Sequence, residues 1–313
     1  MQNSLFRFRH PFRKAFHPLL LGMILCAAIG GLAFGAYAFT RPAHKGTAFS
    51  HKSLAALWNS GDVAKTLEQA RAAADTAISD PYYHALRGIA AYYAALDAQE
   101  EESRQQLLEE SILSLRKARA IGLRGQLAAQ CAYVLAKAYY QKGDPWLDLA
   151  EREFHDARKG GVKEQDLAQY LAAIYASRKD YANAVAWFER SLSEKPSDLL
   201  KLSAAISYRG MGNGEKANQL LTEIISSGTD ARIRLKAKLA LAQDLLEKGK
   251  TAEAKQLFQE VIKEDAVNAD AWFGLGLACL AENDQIGSRA AFRKVVQIDP
   301  NHIEARRKLA EKL

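Results

Sequence analysis

The stretch FGLGLACLAENDQIGSRAAFRKVVQIDPNH, residues 273–302, has a near copy upstream in LALAQDLLEKGKTAEAKQLFQEVIKEDAVN, residues 239–268. Corresponding residues are 34 positions apart throughout, as in Leu241 and Leu275, Ala242 and Gly276, Ala254 and Ser288, Phe258 and Phe292, and Val261 and Val295. A fixed period of this length indicates a repeat protein. In such proteins each repeat is one supersecondary unit that buries its apolar face against its neighbours.

Three further copies lie upstream, at residues 135–157, 171–197 and, more weakly, 203–225. Each of the five copies has one large apolar residue at the same place in the pattern. Successive ones lie 34, 33, 37 and 34 residues apart; they are Phe154, Phe188, Leu221, Phe258 and Phe292. The pattern therefore predicts five repeats over residues 129–302 and a charged capping helix over 303–313. Residues 53–128 keep only fragments of it and are predicted to form degenerate repeats.

This period and pattern resemble the tetratricopeptide repeat family, whose signature is carried most completely by Trp272, Leu275, Gly276, Phe292 and Pro300. The resemblance implies an all-α fold in which helical hairpins stack into a right-handed superhelix. Tight turns are expected at Gly143-Asp144, Lys179-Asp180, Gly212-Asn213, Gly249-Lys250 and Asn283-Asp284. Small residues should let the two helices of a hairpin approach closely, and aromatic rings should fill the gap to the next hairpin. The predicted packing residues are Ala136, Phe154, Ala172, Phe188, Ala242, Phe258, Trp272, Gly276 and Phe292.

The run Gly274-Leu275-Gly276 raises the alternative of a nucleotide-binding loop. Such a loop needs Gly-x-Gly-x-x-Gly between a strand and a helix. Here both glycines fall inside a predicted helix, and Gly276 occupies a position that is alanine in the other copies. The sequence therefore predicts that they serve helix packing.

The net charge of +7 lies entirely in residues 1–52, which hold seven Lys and Arg and no Asp or Glu. The remaining chain has 36 basic and 36 acidic residues. A neutral body of mixed charge lacks the basic surface that phosphate backbones require, so we expect no binding of nucleic acid.

Residues 19–39, LLLGMILCAAIGGLAFGAYAF, contain no charged side chain. Such a stretch, at about 1.5 Å a residue, spans roughly 30 Å, the thickness of a hydrocarbon core. Four Arg and Lys precede it, which predicts a transmembrane signal-anchor with residues 1–18 in the cytoplasm and everything after Thr40 translocated. Two alternatives remain open: cleavage after Ala38 at an A-x-A site, and lipidation at Cys26.

The polar residues 40–52 are expected to link this anchor to the repeats. Small residues within the anchor, Gly30, Gly31 and Gly35, are compatible with helix pairing and hence with self-association.

No arrangement of residues predicts catalysis, a metal or a cofactor. The histidines are scattered, the carboxylates of QEEES at 99–103 read as a solvated face, and no phosphate loop or nucleophile elbow occurs. Cys131 and Cys279 lie on predicted helices about 150 residues apart, without a CxxC pair. We therefore expect a non-enzymatic protein with no cofactor and no metal.

By the same resemblance, the first helix of each repeat should line a groove for a protein or peptide segment. The predicted partner-contact residues are Tyr133, Lys137, Tyr140, Gln169, Tyr170, Lys236 and Gln243, and further candidates are Ala173, Leu239, Phe273 and Leu277. Family members that clamp the C-terminal carboxylate of heat-shock proteins carry a Lys and an Asn one turn apart on this helix. The matching pairs here depart from that pattern, which disfavours such an adaptor; they are Tyr133/Lys137, Gln169/Ala173, Leu239/Gln243 and Phe273/Leu277.

The sequence thus favours a membrane-anchored scaffold of the bacterial inner membrane, with its repeats in the periplasm and a role in cell-envelope assembly. That role is an analogy with anchored arrays of the family. Two other classes stay open: an import-type receptor on an organelle membrane with a cytosolic array, and a cleaved, secreted or surface-exposed adhesin-like protein.

Overall fold

The computed structural model describes residues 49–311, in which fifteen α-helices and one short 3-10 helix occur and no strand is found. This all-α architecture of helical hairpins confirms the predicted fold class. The predicted basic N-terminus, the apolar segment 19–39 and most of the linker lie outside the described residues. Within the described part, no helix combines the length and the apolar character that crossing a membrane requires.

The chain divides into two compact units, the first ending at Leu167 and the second beginning at Ala168. Helices of the first unit are α1 (His51–Asn59), α2 (Val63–Thr76), α3 (Pro81–Asp97), α4 (Glu101–Ile121), α5 (Gly125–Lys142) and α6 (Leu147–Lys159), with the 3-10 helix (Asp144–Trp146) between the last two. They form three hairpins, of which the third begins four residues before the boundary at 129 drawn from the sequence.

The second unit contains four more hairpins and an end helix. Its helices are α7 (Gln165–Ser177), which starts just before the unit boundary, α8 (Tyr181–Glu194), α9 (Asp198–Gly210), α10 (Gly214–Ser227), α11 (Ala231–Glu247), α12 (Thr251–Glu264), α13 (Ala269–Ala281), α14 (Gln285–Ile298) and α15 (Ile303–Ala310). The odd-numbered helices from α7 to α13 are the first helices of their hairpins, and the even-numbered ones are the second helices.

The hairpin turns of the second unit share one backbone arrangement. The second residue after the end of the first helix has a positive φ, which is 62° at Lys179 and at Asn283 and 86° at Gly212. The next residue then caps the second helix, as the Asp180 carboxylate does by accepting a hydrogen bond from the Asn183 backbone N–H. The same arrangement occurs between α1 and α2, where Gly61 has a φ of 81° and Asp62 caps the second helix. The beginning of the predicted degenerate region, residues 53–128, therefore forms a hairpin of the same kind.

Small residues and rings meet both within and between the hairpins of the second unit. A Cβ atom added to Gly276 would lie 2.5 Å from the ring of Phe292 in the same hairpin, and one added to Gly274 would lie 2.3 Å from the ring of Phe258 in the preceding hairpin. Real Cβ contacts essentially never come this close, so both glycines make room for a ring. All the predicted packing residues are buried except Trp272, which is half-buried; its indole N–H donates to the Ala266 carbonyl at 2.9 Å.

The first unit departs from this regular plan in its second hairpin. Helices α3 and α4 have 17 and 21 residues, whereas α13 and α14 have 13 and 14. The charged residues of 97–110 fall at the end of α3, in the turn and in the first half of α4, so this segment lengthens the helices as well as forming their turn.

Tyrosines of α3 fasten the beginning of the described chain. The Tyr83 hydroxyl donates to the Phe49 carbonyl at 3.0 Å, and the Tyr82 hydroxyl donates to the His51 carbonyl at 3.1 Å. The imidazole of His51 lies 2.8 Å from a carboxylate oxygen of Asp80, the residue that caps α3. Residues 49–51 are therefore tied by side chains to α3 as well as by the backbone to α1.

Candidate functional site

Three first helices of the second unit form one continuous surface, because α9 contacts α11 and α11 contacts α13. On each helix, residues at i, i+3, i+7 and i+10 fall within an arc of about 80°. The repeat periods of 37 and 34 residues place the three sets in the same register. We call these residues the first-helix face; they are Leu199, Leu202, Ile206 and Arg209 on α9, Lys236, Leu239, Gln243 and Leu246 on α11, and Asp270, Phe273, Leu277 and Leu280 on α13.

The first-helix face is predominantly apolar. Two of its side chains, Leu202 and Phe273, are buried, and the Phe273 ring lies 5.4 Å from the ring of Phe292. Its other six apolar residues are half-buried and keep part of their surface in solvent: Leu199, Ile206, Leu239, Leu246, Leu277 and Leu280. Contiguous apolar surface of this kind is a common property of protein interaction sites.

Charged groups border the face. The Arg209 guanidinium donates to the Ala240 carbonyl at 3.2 Å, which joins α9 to α11. Lys236 is exposed and makes no ion pair within residues 49–311, whereas Lys238, on another side of the same helix, contacts both Glu260 and Glu264 at 2.8 Å. Two of the predicted partner-contact residues, Lys236 and Gln243, therefore share this face.

The corresponding positions on α5 in the first unit are Gln130, Tyr133, Lys137 and Tyr140. Here the polar groups contact the protein itself. The Tyr133 hydroxyl donates to Asp166, and the Lys137 ammonium lies 3.1 Å from an oxygen of the same carboxylate. The ammonium also lies 4.9 Å from the centroid of the Tyr133 ring. Lys137 is only 7% exposed, so this cluster is part of the interior of the first unit.

The predicted partner-contact residues thus differ in accessibility. Lys236 is exposed, Tyr140, Gln169 and Gln243 are half-buried, and Tyr133, Lys137 and Tyr170 are buried. No bound partner tests their role, which stays a prediction. Most apolar members of the face are absent from the residues predicted from the sequence: Leu199, Leu202, Ile206, Leu246 and Leu280. Their repeated i, i+3, i+7 and i+10 spacing is the signal that identifies them.

A shallow pocket of about 490 Å³ lies elsewhere in the first unit, between α2, α3 and α4. Its charged groups neutralise one another, since Glu110 accepts hydrogen bonds from Arg71 Nε at 2.8 Å and from Arg87 Nε at 2.7 Å. Burial of Glu110 opposes its ionisation, but these two guanidinium groups outweigh burial and hold its pKa below the usual value. The arrangement joins three helices by an ionised carboxylate.

Residues suited to metal binding or nucleophilic chemistry do not converge in the described part of the chain. Among residues 49–311, no group of three or more His, Cys, Asp and Glu could hold a metal ion. Cys131 and Cys279 are both buried, and burial raises the pKa of each thiol. A buried thiol with a raised pKa remains protonated at neutral pH and is a poor nucleophile.

Comparison with known sequences identifies the repeats. The family model described as tetratricopeptide repeat matches residues 133–198 and 239–303. No curated protein matches the chain significantly.

Solved structures give the same fold. The C-terminal part of a TPR repeat-containing protein from Cytophaga hutchinsonii is similar with a TM-score of 0.58 at 13% identity, over 82% of this chain and 98% of the other. PilF of Pseudomonas aeruginosa is similar with a TM-score of 0.51 at 15% identity, over 71% of this chain and 96% of the other. At such low identity these likenesses show the fold alone.

Proposed function

Because its repeats and its fold place this chain in the tetratricopeptide repeat family, we propose that it is a non-enzymatic scaffold that holds a partner protein on the first-helix face of its second unit. Tetratricopeptide repeats are typical of scaffolds that mediate protein–protein interactions. The observation that carries the proposal for this chain is the row of six half-buried apolar side chains on three adjoining first helices. The part of these apolar side chains that lies in solvent would be buried when a partner covers the face, and this burial favours binding.

We propose also that residues 19–39 anchor the protein in a bacterial inner membrane with the repeats in the periplasm, where the scaffold serves assembly of cell-envelope complexes. The support is the uncharged segment and the basic residues that precede it. A reporter that is active only after export, fused after Leu313, should be active. A stable but silent fusion would overturn this orientation.

Site-specific photo-crosslinking in native membranes tests the scaffold proposal. We would replace Gln243, half-buried on the first-helix face, with a benzophenone-bearing residue, and use Gln256 as the matched control. Gln256 is an exposed glutamine on the second helix α12. We expect a discrete adduct from position 243 and none from position 256.

Equal labelling at both positions, or none at position 243, would contradict partner binding at this face. The adduct's mass and peptide map would identify the partner. Circular dichroism of each variant would verify that the helices remain folded.

A further inference from the structure

The charges of the first unit are segregated along its long second hairpin. Residues 97–110 hold six Asp and Glu and one Arg, whereas residues 111–143 hold six Lys and Arg and no acidic side chain. Helix α4 runs from one segment into the other, so it is acidic in its first half and basic in its second. Near its basic end, Arg116 and Lys117 are exposed, and neither makes an ion pair within residues 49–311.

Three more cations lie at the same end of the unit. Arg124 follows α4 and precedes α5, and Lys159 and Lys163 lie at and just beyond the end of α6. All three are exposed and make no ion pair in the described part of the chain. Arg119 of α4 contacts Glu153 of α6, which brings the second halves of these two helices together. We call this surface the basic end; its cations are Arg116, Lys117, Arg124, Lys159 and Lys163.

The excess of positive charge at the basic end is only partly explained by helix stability. Segments 111–124 and 155–164, which form this end, hold seven Lys and Arg against two acidic residues. A cation is favourable at the C-terminal end of a helix, as Lys159 is on α6, but unfavourable at an N-terminal end. Arg124 is nevertheless the N-cap residue of α5, without a capping hydrogen bond, and Lys163 lies two residues before α7. An external anion would offset the cost of these two positions.

Exposed apolar side chains accompany the cations. Ile78, in the turn between α2 and α3, is 59% exposed, and Leu113, one turn before Lys117 on α4, is 66% exposed. The Ile78 carbonyl lies 2.8 Å from Nε2 of His84 on α3. Burial lowers the pKa of His84, and the positive charge of Lys117 lowers it further, so the ammonium lies within electrostatic reach of this imidazole. Apolar side chains among cations are typical of surfaces that bind anionic membranes.

The described chain enters the fold at the basic end. The Tyr83 hydroxyl ties Phe49 to the beginning of α3, which lies beside the end of α4 because the two helices form an antiparallel hairpin. Nine residues, 40–48, separate Phe49 from the uncharged segment 19–39 and span at most about 32 Å. The proposed anchor, on which this inference rests, would therefore keep the basic end within reach of the bilayer surface.

We propose that the basic end of the first unit docks on the anionic phospholipid headgroups of a bilayer. Its cations pair with lipid phosphates, and Ile78 enters the boundary between headgroups and acyl chains. A lipid surface fits both the charge and the apolar side chains, whereas a nucleic acid would engage the cations alone. Docking would fix the direction in which the first unit leaves the membrane.

Photo-crosslinking to lipid tests the docking. The full-length chain would carry a benzophenone-bearing residue in place of Ile78 and would be reconstituted into phosphatidylcholine vesicles with or without about 30% phosphatidylglycerol. Gln99 is the matched control position, because it is exposed in the turn at the other end of α3. By mass spectrometry we expect phospholipid adducts from position 78 in anionic vesicles, at about tenfold the yield from position 99 and several times the yield in neutral vesicles.

A double charge reversal locates the contact. Arg116→Glu/Lys117→Glu should lower the adduct yield from position 78 in anionic vesicles by about tenfold or more, since each Lys or Arg near an anionic surface adds to the attraction. The matched control is Arg293→Glu/Lys294→Glu on α14, where an adjacent Arg and Lys are also exposed and make no ion pair among the described residues. It should leave the yield unchanged. Circular dichroism would verify the fold of both variants.

Equal adduct yields from positions 78 and 99, equal yields in neutral and anionic vesicles, or a reversal at Arg116 and Lys117 without effect would each overturn the inference. An excess of a DNA duplex that abolishes the adduct would assign the basic end to nucleic acid instead.

Flotation separates this inference from the proposed anchor. A chain that floats with neutral vesicles but gives no adduct from position 78 has the anchor and lacks the docking. A chain that floats only with anionic vesicles, and loses this flotation on reversal of Arg116 and Lys117, has the docking and lacks the anchor. The two failures are therefore distinguishable.

Discussion

Helix α5 of the first unit and helices α9, α11 and α13 of the second unit carry the same four positions with opposite chemistry. On α5 these positions hold Gln130, Tyr133, Lys137 and Tyr140, and the central two are buried and bonded to Asp166. On α9, α11 and α13 they hold mainly leucine, isoleucine and phenylalanine, most of them half-buried. Polar residues on the first unit thus serve internal cohesion, whereas apolar residues on the second unit remain partly in solvent. The position of a residue within the repeat does not by itself identify it as a partner-binding residue. A side chain that already has a partner inside the protein, as Lys137 has in Asp166, serves the fold instead.

The largest effect should come from the core of the second unit. Phe292→Ala removes a fully buried ring that packs against Gly276 and Phe273, and should lower the free energy of unfolding by about 3–5 kcal/mol. The matched control is Ile286→Ala on the same helix, where an exposed side chain should change it by less than about 0.5 kcal/mol. Urea unfolding followed by circular dichroism measures both, and similar values would contradict the packing register.

A smaller loss should follow from opening the polar cluster of the first unit. Lys137→Met leaves the Asp166 carboxylate without its cation and should cost about 2 kcal/mol, less than for a fully buried pair because Asp166 is partly exposed. Adding Asp166→Leu removes the remaining charge and should recover much of the loss. If the single variant is as stable as the unmodified chain in urea, the cluster does not hold the first unit together.

The acid dependence of stability should differ between two carboxylates. The pKa of Glu110 is lower in the folded protein than in the unfolded chain, so its hydrogen bonds with Arg71 and Arg87 stabilise the fold at pH values above the unfolded pKa. This contribution is lost as the pH falls through the pKa of the folded state. Glu110→Gln should cost about 1 kcal/mol at neutral pH and make stability less sensitive to acid.

Glu260 of the second unit is the matched comparison. A hydrogen bond from Lys238 lowers its pKa, but its side chain is 39% exposed and solvent screens the interaction. Urea unfolding between neutral and acidic pH should therefore show a smaller change for Glu260→Gln than for Glu110→Gln. An equal change would indicate that both contacts are screened alike.

Salt should have the smallest effect. Apolar contact dominates the proposed complex with the partner protein, since only Arg209, Lys236 and Asp270 carry charge among the residues of the first-helix face. Raising the salt concentration to about 0.5 M should therefore lower the yield of the adduct from position 243 by less than about threefold. A loss of tenfold or more would show that charge, and not the apolar side chains, holds the partner.

Regular features of the fold were predictable from the sequence because they repeat. Gly212 and Asn283 mark turns, and Phe258 and Phe292 mark cores, at offsets that recur from one hairpin to the next. The lengths of α3 and α4 were not predictable from the sequence, because the charged residues of 97–110 carry no periodic apolar pattern that sets a helix end. The burial of Lys137 was likewise hidden, because it depends on Asp166, 29 residues further along the chain.

The fastening of residues 49–51 has a mechanical consequence. A pull applied to the chain at Phe49 would be shared between the backbone of α1 and the hydroxyl groups of Tyr82 and Tyr83 on α3, so two helices would bear the load together. The contact between His51 and Asp80 adds a third bond at the cap of α3. A protein held by its N-terminal segment while a partner pulls on its repeats would first transmit that force into its long second hairpin, and α1 would not peel away alone.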